Sequence, residues 1–116
     1  MINKIIPTEY DECLVLVQYL ELKNIKYSAI AHSTYTTSWS QKMKNKQTGL
    51  KRGVPDYLIC LPKQLLFIEM KRIKGGVISE YQKSWIEALN NINKNIVAVV
   101  CKGADEAIKQ IQKYEL

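Results

Sequence analysis

The 116 residues carry 17 lysines and arginines against 11 aspartates and glutamates, a net charge of +6, and 47% of positions are apolar without any long apolar run. That excludes a membrane span and predicts one soluble domain over residues 1–116, with a real core but no room for an accessory domain. The positive balance suits a partner with a phosphate backbone, and Met1-Ile2-Asn3-Lys4-Ile5-Ile6-Pro7 is too short and broken for a secretion signal, so the expected location is the cytoplasm.

In chain order, Pro7-Thr8-Glu9 predicts a helix start, with Thr8 as N-cap, Glu9, Asp11 and Glu12 in the first turn, and an end near Lys23-Asn24. Ile25 to His32 alternates enough for a first strand. Ser33 to Ser40 is polar and reads as a loop, and Ser40 to Thr48 reads as a short basic helix ended by Gly49. Tyr57 to Leu61 and Leu65 to Lys71 are apolar runs joined by Pro62-Lys63-Gln64, a hairpin connection. Ser79 predicts the N-cap of a helix running to about Asn91, with Tyr81, Trp85, Ile86 and Leu89 on one face. Ile96 to Cys101 is a β-branched run suited to a buried strand, and Ala104 to Tyr114 an amphipathic closing helix. Cys13, Cys60 and Cys101 are odd in number, widely spaced and set in apolar runs, which predicts reduced core thiols and gives no zinc pattern.

The chemistry concentrates on the hairpin. Gly53-Val54-Pro55-Asp56 opens its first strand and Glu69-Met70-Lys71 closes its second, so pairing brings Asp56 opposite Glu69 within about one residue. The two-residue period puts Glu69 and Lys71 on one face and Met70, with Ile68 and Leu66, on the other. Two carboxylates suffice for Mg²⁺, which favours oxygen ligands and keeps several waters, and a nearby lysine can orient or deprotonate an attacking water. Asp56 and Glu69 are thus candidate ligands and Lys71 the candidate water-handling group. Positive charge brackets them, with Lys42, Lys44, Lys46, Lys51 and Arg52 upstream and Arg72 and Lys74 downstream as candidate phosphate contacts. Trp39 and Tyr35 either stack on unpaired bases or fold back on the core. His32, the lone histidine, reads as structural.

Gly53-Val54-Pro55-Asp56, then Phe67-Ile68-Glu69-Met70-Lys71-Arg72, then Gly75-Gly76, Ser79, Tyr81-Gln82 and Trp85-Ile86 closely resemble the VRR-NUC branch of the PD-(D/E)xK nucleases, stand-alone phage or bacterial type. The resemblance covers almost the whole chain from Thr8-Glu9 onward. It implies an α/β, restriction-endonuclease-like core, a mixed central β-sheet flanked by helices in the order αβ(α)ββαβα. It implies hydrolysis of DNA phosphodiesters with Mg²⁺, or Mn²⁺ as substitute, and no small-molecule cofactor. Glu9 matches a further acid of the metal site, with Glu12 on the same helix face as competitor, and Cys13 stands where related sequences often have glutamine. Gln82 would position the water, the lysine or a phosphate. Stand-alone members resemble Holliday-junction resolvases that act as homodimers, so branched or distorted DNA is the expected substrate. The rivals are a nicking or flap nuclease of the same fold and a nucleic-acid-binding module without catalysis.

Overall fold

Thr8 fixes where the first helix begins. In the computed structural model, which describes residues 5–30 and 38–115, its hydroxyl accepts from the Asp11 N–H at 3.1 Å while the Asp11 carboxylate accepts from the Thr8 N–H at 3.0 Å. This reciprocal cap satisfies two of the backbone donors that a helix start leaves over. Helix α1 runs over Glu9–Leu22 and stops at Asn24, which takes a left-handed φ of 55°.

Strand β1 (Lys26–Ala29) follows, shorter than the expected stretch, whose last residues fall in 31–37, outside the described residues, as do His32 and Tyr35. Helix α2 (Trp39–Gln47) starts one residue before its expected Ser40, because the Ser38 hydroxyl accepts from the Gln41 N–H at 3.2 Å and so caps it. Strands β2 (Tyr57–Cys60) and β3 (Leu65–Lys71) form the hairpin, antiparallel, with Tyr57 opposite Ile68 and Cys60 opposite Leu65. Helix α3 (Glu80–Asn90) returns the chain to β4 (Ile96–Lys102), which runs parallel to β3, and α4 (Ala104–Tyr114) closes the described fold. A parallel neighbour needs such a crossover, and α3 supplies it. The sheet order is β1-β2-β3-β4, a mixed sheet in an α/β arrangement, as expected from the order of elements.

Alternation decides what each strand buries. Leu66, Ile68 and Met70 are fully buried, and Leu16 and Leu20 of α1 with Ala107 and Ile111 of α4 join them in the core. Burying one such large side chain contributes about 1.5–3 kcal/mol, and truncating Ile68 to alanine would cost about 2–5 kcal/mol once the cavity is included. On β4 the backbone of Ala98 is met by a side chain, since the Asn90 amide donates to the Ala98 carbonyl at 2.9 Å and accepts from its N–H at 2.8 Å.

The cysteines depart from expectation in one case. Cys101 is buried and Cys13 half-buried, but Cys60 is exposed, because β2 turns Tyr57 and Ile59 inward and the two-residue period sends Cys60 out. Among the described residues no helix is long and apolar enough to cross a membrane.

Candidate active site

Asp56 and Glu69 each lie one residue beyond the Tyr57–Ile68 pair that ends the β2–β3 register, and their side chains interact. The Asp56 Oδ2 accepts from the Met70 N–H at 2.7 Å, which ties this carboxylate to the end of β3. Glu69 is 2% exposed, and its Oε1 accepts from the Gln82 amide at 2.6 Å. Burial is the main reason its carboxyl is pushed up to about 9, followed by the hydrogen bond and repulsion from Asp56; Lys71 opposes the shift and Glu9 adds to it. Burial and the neighbouring Asp56 thus bias the Glu69 carboxyl toward its neutral form in the metal-free protein.

The neighbouring glycines hold these groups in place. Gly53 has a φ of +88°, and a Cβ there would fall 2.5 Å from the Tyr81 carbonyl carbon and 2.7 Å from the Gln82 nitrogen. Only glycine lets this segment lie directly on the first turn of α3. Gln82 is then held from both sides, its Oε1 accepting from the Ser79 N–H at 2.9 Å while its Nε2 reaches Glu69. Lys71 is half-buried, and Gly76 crosses its stem so closely that a Cβ would come within 2.9 Å of the Lys71 Cβ.

Two groups beside the acids were not singled out as functional by sequence reasoning. The Cys13 thiol and the Tyr57 hydroxyl lie beside each other, and both feel the charge of Asp56. Burial, first, raises both groups above their ordinary values. The available signals were the one-turn step from Glu9 to Cys13 and the adjacency of Tyr57 to Asp56.

The donor set fits a divalent cation. The Asp56 carboxyl meets that of Glu69, which is 2% exposed, and a doubly charged ion there would offset the repulsion between them. Among the described residues no group of three His, Cys, Asp or Glu side chains forms a ready metal cage, so the fit is of the two-carboxylate kind that leaves the other positions to water.

The sequence model of the VRR-NUC domain matches residues 1–105. The chain belongs to the VRR-NUC family. Among solved structures it is similar to one described as a VRR_NUC domain protein, at 26% identity and a TM-score of 0.75, covering 95% of this chain and 89% of that one. No curated protein matches it. The family is a nuclease family, and the likeness extends to the mixed sheet and its flanking helices.

Within this VRR-NUC domain the two candidate acids of the first helical turn, Glu9 and Glu12, have different surroundings. Glu9 is exposed, and its charge reaches Glu69 and Cys13. Glu12 is 8% exposed, and its Oε2 accepts from the Ala104 N–H at 2.5 Å. It thus caps α4, whose own N-cap position, Gly103, has no side chain to do so. Lys42, Lys44, Lys46, Lys51, Arg52, Arg72 and Lys74 are all exposed, as phosphate contacts would need to be. Trp39 is 75% exposed and does not fold back on the core. Tyr81, expected on the same helix face as Trp85, stands 59% exposed, with the Arg52 guanidinium 5.9 Å from its ring centre. Gly53 lies against the backbone at Tyr81, and that contact leaves the ring outside the core.

Proposed function

We propose that this chain is a metal-dependent endodeoxyribonuclease in which Asp56 and Glu69 hold Mg²⁺, or Mn²⁺ in its place, and Lys71 handles the attacking water. The observation that carries the reading is the contact of two carboxyls, one of them 2% exposed, at the end of the strand that also bears Lys71. A bound divalent ion would supply Lewis acidity, lowering the pKa of a water and offsetting charge that builds on the phosphate.

The chain's own residues then have separate tasks. Asp56, fixed by the Met70 N–H, keeps one oxygen in a set position, and Gln82 does the same for Glu69 through a 2.6 Å hydrogen bond. Ligands held in this way lose little freedom when an ion binds. Lys71 orients the water on the same face as Glu69, and Glu9 lends the site further negative charge from α1. The exposed bases before Asp56 and after Lys71 hold the phosphate backbone across the site.

On this reading the whole activity resides in one domain over residues 1–116 and operates in the cytoplasm. Its limited surface favours selection by DNA structure over a long recognition sequence. We extend the reading to a Holliday-junction resolvase-like role, with two copies cutting two related strands as a homodimer, because two symmetry-related strands call for two active sites. The test is cleavage of a panel of duplex, flap, splayed and four-way DNA with Mg²⁺, Mn²⁺ or chelator. Metal-dependent cuts favouring branched substrates support the proposal. Absence of cleavage on every substrate with either metal would overturn it.

A further inference from the structure

The protein has a groove of about 790 Å³ between α3 on one side and the end of α2 with the segment that follows it on the other. Its lining combines Lys46, Leu50, Lys51 and Arg52 from one wall with Tyr81 and Trp85 from the other, and among the described residues no acid lines it. The volume is that of a small-molecule site, large enough for one nucleotide. The Arg52 guanidinium rests over the Tyr81 ring at 5.9 Å, so the exposed aromatic face is already beside a cation. Tyr81 immediately precedes Gln82, whose amide reaches Glu69, so the groove and the catalytic carboxylates meet at one turn of α3.

We infer that this groove takes one unpaired nucleotide of the DNA, its base stacked on Tyr81 and Trp85 and its phosphate held by Lys51 and Arg52. The inference rests on the nuclease reading above and deepens it by naming what is recognised beside the cut. Charge complementarity selects the occupant, because three cations and two aromatic rings without an acid match an anionic sugar-phosphate carrying a π-face. A base within an intact duplex presents no free face to a ring. The groove therefore favours gaps, flaps and junction openings over continuous duplex, and it does so through stacking, which is tolerant of sequence.

The test places 2-aminopurine at a single unpaired position in a flap or gapped duplex, with the fully paired duplex as control, and uses calcium in place of the cleaving metals so that binding is read without cutting. Stacking quenches the probe. Wild-type protein should quench it only when it is unpaired. Tyr81→Leu should remove most of that quenching and weaken the unpaired substrate about 5- to 150-fold, the range for loss of one base–aromatic stack, while leaving duplex affinity unchanged. Tyr81 is exposed, so this substitution spares the core; a thermal melt equal to wild type confirms it. Replacing the unpaired nucleotide by an abasic one should weaken the wild type and leave Tyr81→Leu indifferent. Equal affinities of Tyr81→Leu and wild type for the unpaired substrate, or equal loss on duplex and unpaired DNA, would overturn the groove while leaving the nuclease reading intact if metal-dependent cutting persists. A protein that neither binds nor cuts any DNA would overturn both.

Discussion

Glu12 and Glu9 sit in the same helical turn, and the structure assigns them opposite fates on mutation. Glu12→Ala removes the acceptor of the Ala104 N–H, in a place where Ala104 is 2% exposed and water has little access. A hydrogen bond to a charged group contributes about 1.5–3 kcal/mol, and interaction with the helix dipole adds about 0.3–1 kcal/mol. The N-cap position offers no substitute, because Gly103 has no side chain to accept from this N–H. The expected loss is about 2–4 kcal/mol. With about 2.1 cal/mol/K of unfolding entropy per residue, each kcal/mol moves the midpoint of this chain by roughly 4 °C, so Tm should fall by about 8–16 °C. Glu12→Gln, which keeps a carbonyl acceptor, should lose about half of that. Glu9→Ala should leave Tm within about 2 °C, since exposed substitutions stay within about 0.5 kcal/mol, while weakening metal binding. Thermal melts and metal titrations of the variants, with cleavage assayed well below their midpoints, separate the two roles. A Glu12→Ala protein as stable as wild type, or folded but unable to cut, would refute the capping assignment.

Other expectations follow from particular distances. Gly53→Ala should cost about 2–5 kcal/mol, combining a left-handed φ with a backbone clash on α3, and should slow cleavage by shifting Gln82; Gly49→Ala, at the same φ but with open space around it, should cost only about 1 kcal/mol and leave activity alone. Urea melts of both variants check the contrast. In metal-free protein the Glu69 carboxyl keeps its proton up to about 9, whereas the unfolded chain releases it near the ordinary 4.5, so stability should decline as pH rises through that window and level off above it. Glu69→Gln should flatten the decline in a series of melts across pH. Alanine at Lys42, Lys44, Lys46 and Arg52 together should flatten the slope of log affinity for duplex DNA against log salt by roughly 0.7–0.9 for each phosphate no longer neutralised. An unchanged slope would reduce the segment to a solvated face.

What could be read from sequence was whatever depends on short-range period and caps. The approach of Asp56 to Glu69 followed from a three-residue connection and strand alternation, and the observed register, which ends at Tyr57 opposite Ile68, leaves each acid one residue beyond that last pair. Ser79 and Thr8 announced their helices, and both caps form as reciprocal pairs. Glu12 was ambiguous for a physical reason: its partner lies 92 residues away, and no periodicity reports which of two acids on one helix face meets another helix's N-terminus. The exposure of Cys60 depended on the phase of a four-residue strand, which an apolar run does not reveal. The groove was equally hidden, since it exists only because Gly53 lets the preceding bases approach Tyr81 and Trp85.

The most direct check of the two-carboxylate metal site is single-turnover cleavage of a branched DNA substrate by wild type, Asp56→Asn and Glu69→Gln, each shown to be folded, with Mg²⁺, Mn²⁺ or chelator. Wild type should cut only when metal is present, and both variants should fall to background rates, since each is missing one of the two carboxylates proposed to hold the ion. Cleavage by wild type in chelator, or undiminished cleavage by either variant, would contradict that assignment.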